Sequence, residues 1–160
     1  MKNIILILLI SLVWNACGPG NSSSETESPG GNKSESQDAA MISAGKGIGE
    51  ITEVKLNHPL IETMVDRGKN IYEMKCAACH KLSDQRVVGP GWKGVTKKRK
   101  PEWIMNMTTN IEAMLESDPA AQELLKECLV RMPNQNLSIG DARDVLEFMY
   151  FNDGHTVGTN

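Results

Sequence analysis

Two of the chain's four cysteines and one of its three histidines fall within five residues, as Cys76, Ala77, Ala78, Cys79 and His80. From composition alone such a meeting is expected roughly 0.002 times in a chain of this size, so the spacing carries information. Two thiols with an adjacent imidazole can hold zinc, cycle as a redox disulfide, or take part in thioether attachment of a haem. A structural zinc site needs four ligands, and the rest of the chain offers only the scattered Cys128, His58 and His155. A thioredoxin-type pair favours a strand before the motif, whereas a helical pattern precedes it here and His80 follows at once. Thioether attachment uses all three residues: Cys76 and Cys79 bond to the haem vinyl groups, which holds His80 under the iron as a proximal ligand. One covalent haem c is therefore favoured over zinc and a redox pair.

The N-terminus bears on the compartment in which such chemistry would run. Lys2 precedes an apolar run from Ile4 to Val13, broken only by Ser11. Those ten residues would span about 15 Å as a helix, half of the roughly 30 Å core of a bilayer. This is the length of a signal-peptide apolar region, and residues 1–16 are expected to be one. Trp14, Asn15, Ala16 and Cys17 resemble a bacterial lipoprotein cleavage site, with Trp14 and Asn15 departing from the usual residues and Cys17 as the lipidation site. Residues 18 to 40 are rich in Ser, Gly, Glu and Pro, with no apolar side chain larger than Ala before Met41. Residues 17–44 are expected to be a lipid-anchored flexible linker, since they cannot bury enough surface to offset the entropy of ordering.

Further elements must position the motif. Residues 45–49, GKGIG, lack the Lys-Ser or Lys-Thr pair of a phosphate loop. Residues 45–58 are expected to be an extended lead-in packed on the surface of the domain, with His58 a solvated or structural residue beside Pro59. From Pro59, Leu60, Ile61, Met64, Val65, Gly68, Ile71 and Tyr72 recur at helical spacing and stop at the cysteine motif. Gly68 inside that pattern points to a close partner, for which the last helix is the candidate. That helix is predicted to open at Ser138, capped with Asp141, and to present Ala142, Val145, Leu146 and Met149 on one face. Two more helices are expected from Pro101 and from Asp118–Pro119 to about Val130. The domain, 59–153, is thus all-α, with 154–160 as a tail, and its core is small enough for a buried cofactor to help fill it.

Over residues 60 to 152 the sequence resembles class I c-type cytochromes, through RGKNIYEMKCAACH, VVGPGWKGV and RMPNQNLSIGDARDVLEFM in that order. The resemblance implies a fold of about four to five short helices around one covalent haem, preceded by a disordered tether. It implies that Gly68 and Tyr72 cross the last helix near Leu146 and Phe148, that Pro90 offers its carbonyl to the His80 nitrogen not on iron, and that Met132 is the distal ligand. Met132 also stands apart from the other methionines by position. It follows a helix end and precedes Pro133 and a polar run, while Met64, Met74, Met105, Met107, Met114 and Met149 fall within helical stretches. Met105, Met107 and His58 are its nearest rivals. Cys128 reads as a small buried hydrophobe.

The net charge is −3, and aromatic residues are only 4%, with no broad basic face, which excludes a nucleic-acid binder. The charge is nonetheless uneven: Lys93, Lys97, Lys98, Arg99 and Lys100 cluster, whereas residues 112–127 are acidic. A basic run of this kind can steer docking to an acidic partner or lie near anionic lipid. The expectation is a monomeric, non-enzymatic single-electron carrier of a bacterial envelope respiratory chain, periplasm-facing and lipid-anchored. Its partners would be a quinol-oxidising complex or donor cytochrome and a terminal reductase or oxidase. GIGEITEVKL and the stretch from Pro101 to Leu125 also look like a subgroup associated with anaerobic respiration, with nitrous oxide reduction as one possibility. Two rival readings are an enzyme subunit or gas sensor with an open distal site, and a haem-free structural lipoprotein.

Overall fold

The structure, a computed structural model, describes residues 32–128 and 130–158. The expected signal peptide, Cys17 and the first part of the expected linker lie outside the described residues. The elements run α1 (Asn32–Ser43), β1 (Leu60–Ile61), α2 (Glu62–Lys75), α3 (Val95–Lys98), α4 (Pro101–Thr109), α5 (Ile111–Ser117), α6 (Pro119–Cys128), α7 (Ile139–Asn152) and β2 (Val157–Gly158). The all-α expectation holds, with seven helices among the described residues instead of the four to five anticipated: α1 and the short α3 are additional, and the stretch from Pro101 breaks once, between α4 and α5, before the expected break at Asp118. The first break falls at Asn110, which leaves helical geometry with φ −133° and ψ 48°. The second falls at Asp118, whose carboxylate caps the next helix by accepting from the Ala121 N–H at 2.8 Å and from Trp103 Nε1 at 3.0 Å.

The frame is the crossing of α2 and α7. Gly68 sits at the closest approach, where a Cβ would run into the Asp144 carbonyl and lie 2.9 Å from the Phe148 Cβ. A glycine there lets two backbones meet that any side chain would separate, which is why a residue of poor helix propensity occupies mid-helix. The crossing is extended by the Tyr72 and Phe148 rings at 5.5 Å and by a two-pronged bond from Arg67 to the Asp144 carboxylate, at 2.6 and 2.8 Å. Ser138 and Asp141 form the expected reciprocal cap at the start of α7. Helix α2 starts at Glu62 instead of Pro59, because Leu60 and Ile61 pair in parallel with Val157 and Gly158 and bind the two ends of the domain together.

The segment before residue 59 departs from both expectations made for it. Residues 32–43 are helical instead of belonging to a flexible linker that runs to 44. Met41 is buried, and the helix closes through Gly45, whose φ of +70° reverses the chain while its N–H donates to the Ile42 carbonyl at 2.8 Å. Nor does the lead-in merely cover the surface. Ile48 and Ile51 enter the core, and Asn106 of α4, itself fully buried, binds this segment at both ends. Its side-chain amide donates to the Lys46 and Ile51 carbonyls, each at 3.0 Å, and its oxygen accepts from the Ile51 N–H at 3.2 Å. The glycines of GKGIG serve this contact: Gly47 and Gly49 have φ of +75° and +154° and press against Met114 and Asn106.

Candidate functional site

The cysteine motif hangs from the C-terminal end of α2 as a tight turn. The Cys76 N–H still bonds to the Tyr72 carbonyl at 2.8 Å, while the Cys79 and His80 N–H groups both turn back to the Cys76 carbonyl, at 3.1 and 2.9 Å. Tyr72 ties the end of the turn down, its hydroxyl donating to the His80 carbonyl at 2.8 Å. The chain then loops round the imidazole. Gly89 packs so closely that a Cβ would lie 2.7 Å from His80 Nδ1. The next residue, Pro90, presents its carbonyl 2.8 Å from that same nitrogen. Trp92 completes the wall, with its ring 4.8 Å from Tyr72 and 5.8 Å from His80.

This geometry fixes the chemistry of the ring. A carbonyl can only accept, so Nδ1 carries the proton in its bond to Pro90, and Nε2 is left with its lone pair. Burial pushes the His80 pKa below the usual histidine range, with the bond to Pro90 opposing the shift in part. The neutral imidazole is the form that binds a metal, and among the described residues Nε2 has no hydrogen-bond partner. Burial also pushes the Cys76 thiol up to about 11, so the folded pocket holds it protonated and does not prepare it as a thiolate ligand.

Cys76, Cys79, His80, Pro90 and Met132 line one cavity of about 280 Å³. Its remaining walls are largely apolar: Ile104 and Met107 from α4, Leu115 from α5, and Leu124 and Leu125 from α6. The five core positions read from sequence therefore meet in space. Of the rivals to Met132, Met107 lines the cavity, Met105 is buried outside its lining, and His58 is exposed and away from it. Cys128 is a free thiol, half-buried at the cavity wall where a buried small hydrophobe was expected. Cys17 lies outside the described residues. An apolar cavity with two thiols and a neutral imidazole on one wall, and a thioether sulfur also lining it, fits a haem c. Among the described residues no group of three or more His, Cys, Asp or Glu is placed to hold a metal ion by itself, which argues against the zinc alternative.

Sequence reasoning passed over Trp92 and the ties on the Met132 segment. Trp92 stands within VVGPGWKGV, and an aromatic next to the histidine loop was the available signal. Among the described residues, 130–137 makes no main-chain to main-chain hydrogen bond. The segment is held instead by side chains: Lys75 Nζ donates to the Gln135 carbonyl at 3.1 Å, and Arg131 pairs with Glu112 of α5. These ties join residues far apart in sequence and have no periodic signature.

Residues 65–150 match the family model described as Cytochrome c. Cytochrome c from Rhodothermus marinus shares 29% identity and a TM-score of 0.65, over 72% of this chain and 97% of that one. An engineered form of the same protein gives the same score and identity over 98% of its length. A further engineered form, bound to a carbene intermediate, has a TM-score of 0.62. No curated protein sequence matches. The matched span covers more than half of the chain and contains the motif, the imidazole loop, Met132 and the α2–α7 frame: the chain belongs to the cytochrome c family.

Proposed function

We propose that the protein is a class I, single-haem electron carrier of a bacterial envelope respiratory chain, with His80 and Met132 as axial ligands and Cys17 as a lipid anchor. The observation that carries this reading is the meeting of Cys76, Cys79, His80, Pro90 and Met132 in one apolar cavity. Bound haem c supplies one-electron chemistry between Fe(III) and Fe(II). The chain's own residues hold and tune it. Cys76 and Cys79 give thioether bonds, Pro90 orients His80 and raises its basicity, and the Met132 thioether favours the reduced state. The apolar walls exclude water from the site. Donor and acceptor would be a quinol-oxidising complex or donor cytochrome and a terminal reductase or oxidase, with nitrous oxide reduction as one setting for the latter.

The test is a haem stain after denaturing electrophoresis, together with the absorption spectrum of the reduced protein. Haem that stays with the polypeptide and a six-coordinate low-spin spectrum support the carrier. A stain-negative band from cells with a working cytochrome c maturation system overturns it. A second reading, an enzyme subunit or gas sensor with an open distal site, is favoured by one observation: the Met132 segment is tied down by side chains alone. Immediate carbon monoxide binding by a high-spin ferrous protein would decide for that reading.

A further inference from the structure

Of the three histidines, the two outside the cysteine motif are far apart in sequence, and the fold brings them together. His58 precedes β1 and His155 precedes β2, and their ring centroids lie 5.8 Å apart with an interplanar angle of 35°. Both stand on fixed backbone. Leu60 N–H donates to the Thr156 carbonyl at 2.9 Å and His155 N–H to the Tyr150 carbonyl at 3.1 Å. The Tyr150 ring also buttresses His155 edge-on at 4.9 Å. His58 is exposed and His155 half-exposed. Among the described residues neither imidazole makes a side-chain hydrogen bond or an ion pair.

We propose that His58 and His155 form a surface chelate for a divalent transition-metal ion of the copper(II), nickel(II) and zinc(II) class, clipping the segment that enters α2 to the segment that leaves α7. Imidazole nitrogen suits these ions, with copper(II) bound most tightly. A metal–nitrogen bond of about 2.0–2.1 Å puts each ring centroid about 3.2 Å from the ion, so two rings are about 4.5 Å apart when cis on a square-planar ion, about 5.2 Å apart on a tetrahedral ion and about 6.4 Å apart in line. The observed 5.8 Å lies within that span. No third protein ligand is placed nearby among the described residues, so water fills the remaining positions. The two imidazoles meet only in the folded chain, so metal binding stabilises the fold. The clip is independent of the haem reading.

The test uses the full-length, oxidised, haem-loaded protein without a polyhistidine tag. Copper(II) binding is followed by calorimetry and electron paramagnetic resonance, and the thermal midpoint is measured with and without zinc(II). The expected result is one equivalent of copper with two-nitrogen hyperfine structure and a midpoint raised by zinc. His58→Gln and His155→Gln should each weaken copper binding by about tenfold or more and remove the zinc effect, with the double variant little worse than either single one. Binding by the single variants equal to that of the wild type, or loss of the site in Cys128→Ser, would assign the metal to other groups and overturn the proposal, as would no binding at all.

Discussion

Met132 is the residue on which carrier and open-site readings divide. If its sulfur fills the sixth position, Met132→Ala should lower the reduction potential, because the ligand favouring Fe(II) is gone, and should turn slow carbon monoxide binding into rapid binding. The potential by voltammetry and the binding rate by flash photolysis check this. The change should leave the domain folded, although truncating a methionine in a packed site costs about 2 to 5 kcal/mol. Met105→Ala should leave the ligation spectrum unaltered, since Met105 is buried outside the cavity lining. Met107 lines the cavity and is the sharper control. A wild-type-like spectrum in Met107→Ala and a changed one in Met132→Ala would fix the assignment, and the reverse pattern would move the ligand to α4. The residue scale was also the most legible in sequence. Cys76, Cys79 and His80 announce themselves by spacing, and Met132 stands beside a proline after a helical pattern ends. The Tyr72 hydroxyl bond and the Trp92 wall were hidden, because a buried aromatic looks the same in sequence whether it fills space or holds a histidine in place.

Among the elements, α2 and α7 approach most closely at Gly68, a point with no room for a side chain. Gly68→Ala would set a Cβ against the Asp144 carbonyl, and since backbone must move to accept it, the expected cost is about 1 to 3 kcal/mol. Denaturant unfolding of the haem-loaded protein measures it. By contrast, a Cβ at Gly140 would meet only the Ser138 Oγ at 3.7 Å, so Gly140→Ala should be close to neutral or stabilising. The α4 contact with the lead-in supplies a second element-scale prediction. Asn106→Leu removes three hydrogen bonds and leaves the Ile51 N–H and two carbonyls without them, a loss of about 2 to 4 kcal/mol if each group contributes its usual share. Hydrogen exchange at Ile51 should speed up more than exchange along α7. An unchanged Ile51 rate would mean that Ile48 and Ile51 hold the segment by packing alone. The helix periods of α2, α4 and α7 and the Ser138 cap were legible because their apolar faces repeat. The helix at 32–43 and the buried lead-in were not, since Met41, Ile48 and Ile51 are isolated apolar residues in polar or glycine-rich sequence, with no period to mark them as core.

Across the whole molecule the charge is distributed unevenly about the cavity. Lys93, Lys98 and Arg99 line it, with Lys97 alongside on α3, while the acidic stretch occupies α5 and α6. Asp153 at the end of α7 fixes this basic turn, accepting from the Gly94 N–H at 2.5 Å and from the Thr96 N–H and hydroxyl at 3.0 and 2.6 Å. Lys93, Lys97, Lys98 and Lys100 make no ion pair with a carboxylate among the described residues, so their charge is available to a partner. In the proposed membrane-tethered carrier, such a face would steer encounter with an acidic redox partner. The tether has its own test, in which Cys17→Ser should release a soluble, still red protein, and retention in the membrane fraction would refute lipid anchoring at that residue. For docking, the rate of electron transfer to an acidic partner should fall as salt rises, because the Debye length shrinks from about 10 Å at 0.1 M to about 3 Å at 1 M. Replacing both Lys97 and Lys98 with Glu should slow transfer at low salt and flatten its salt dependence, with the absorption spectrum unchanged, since long-range attraction sets the association rate more than the contact itself. Rates that stay the same at every ionic strength, in wild type and variant alike, would leave the basic turn as solvated surface and place docking elsewhere on the molecule.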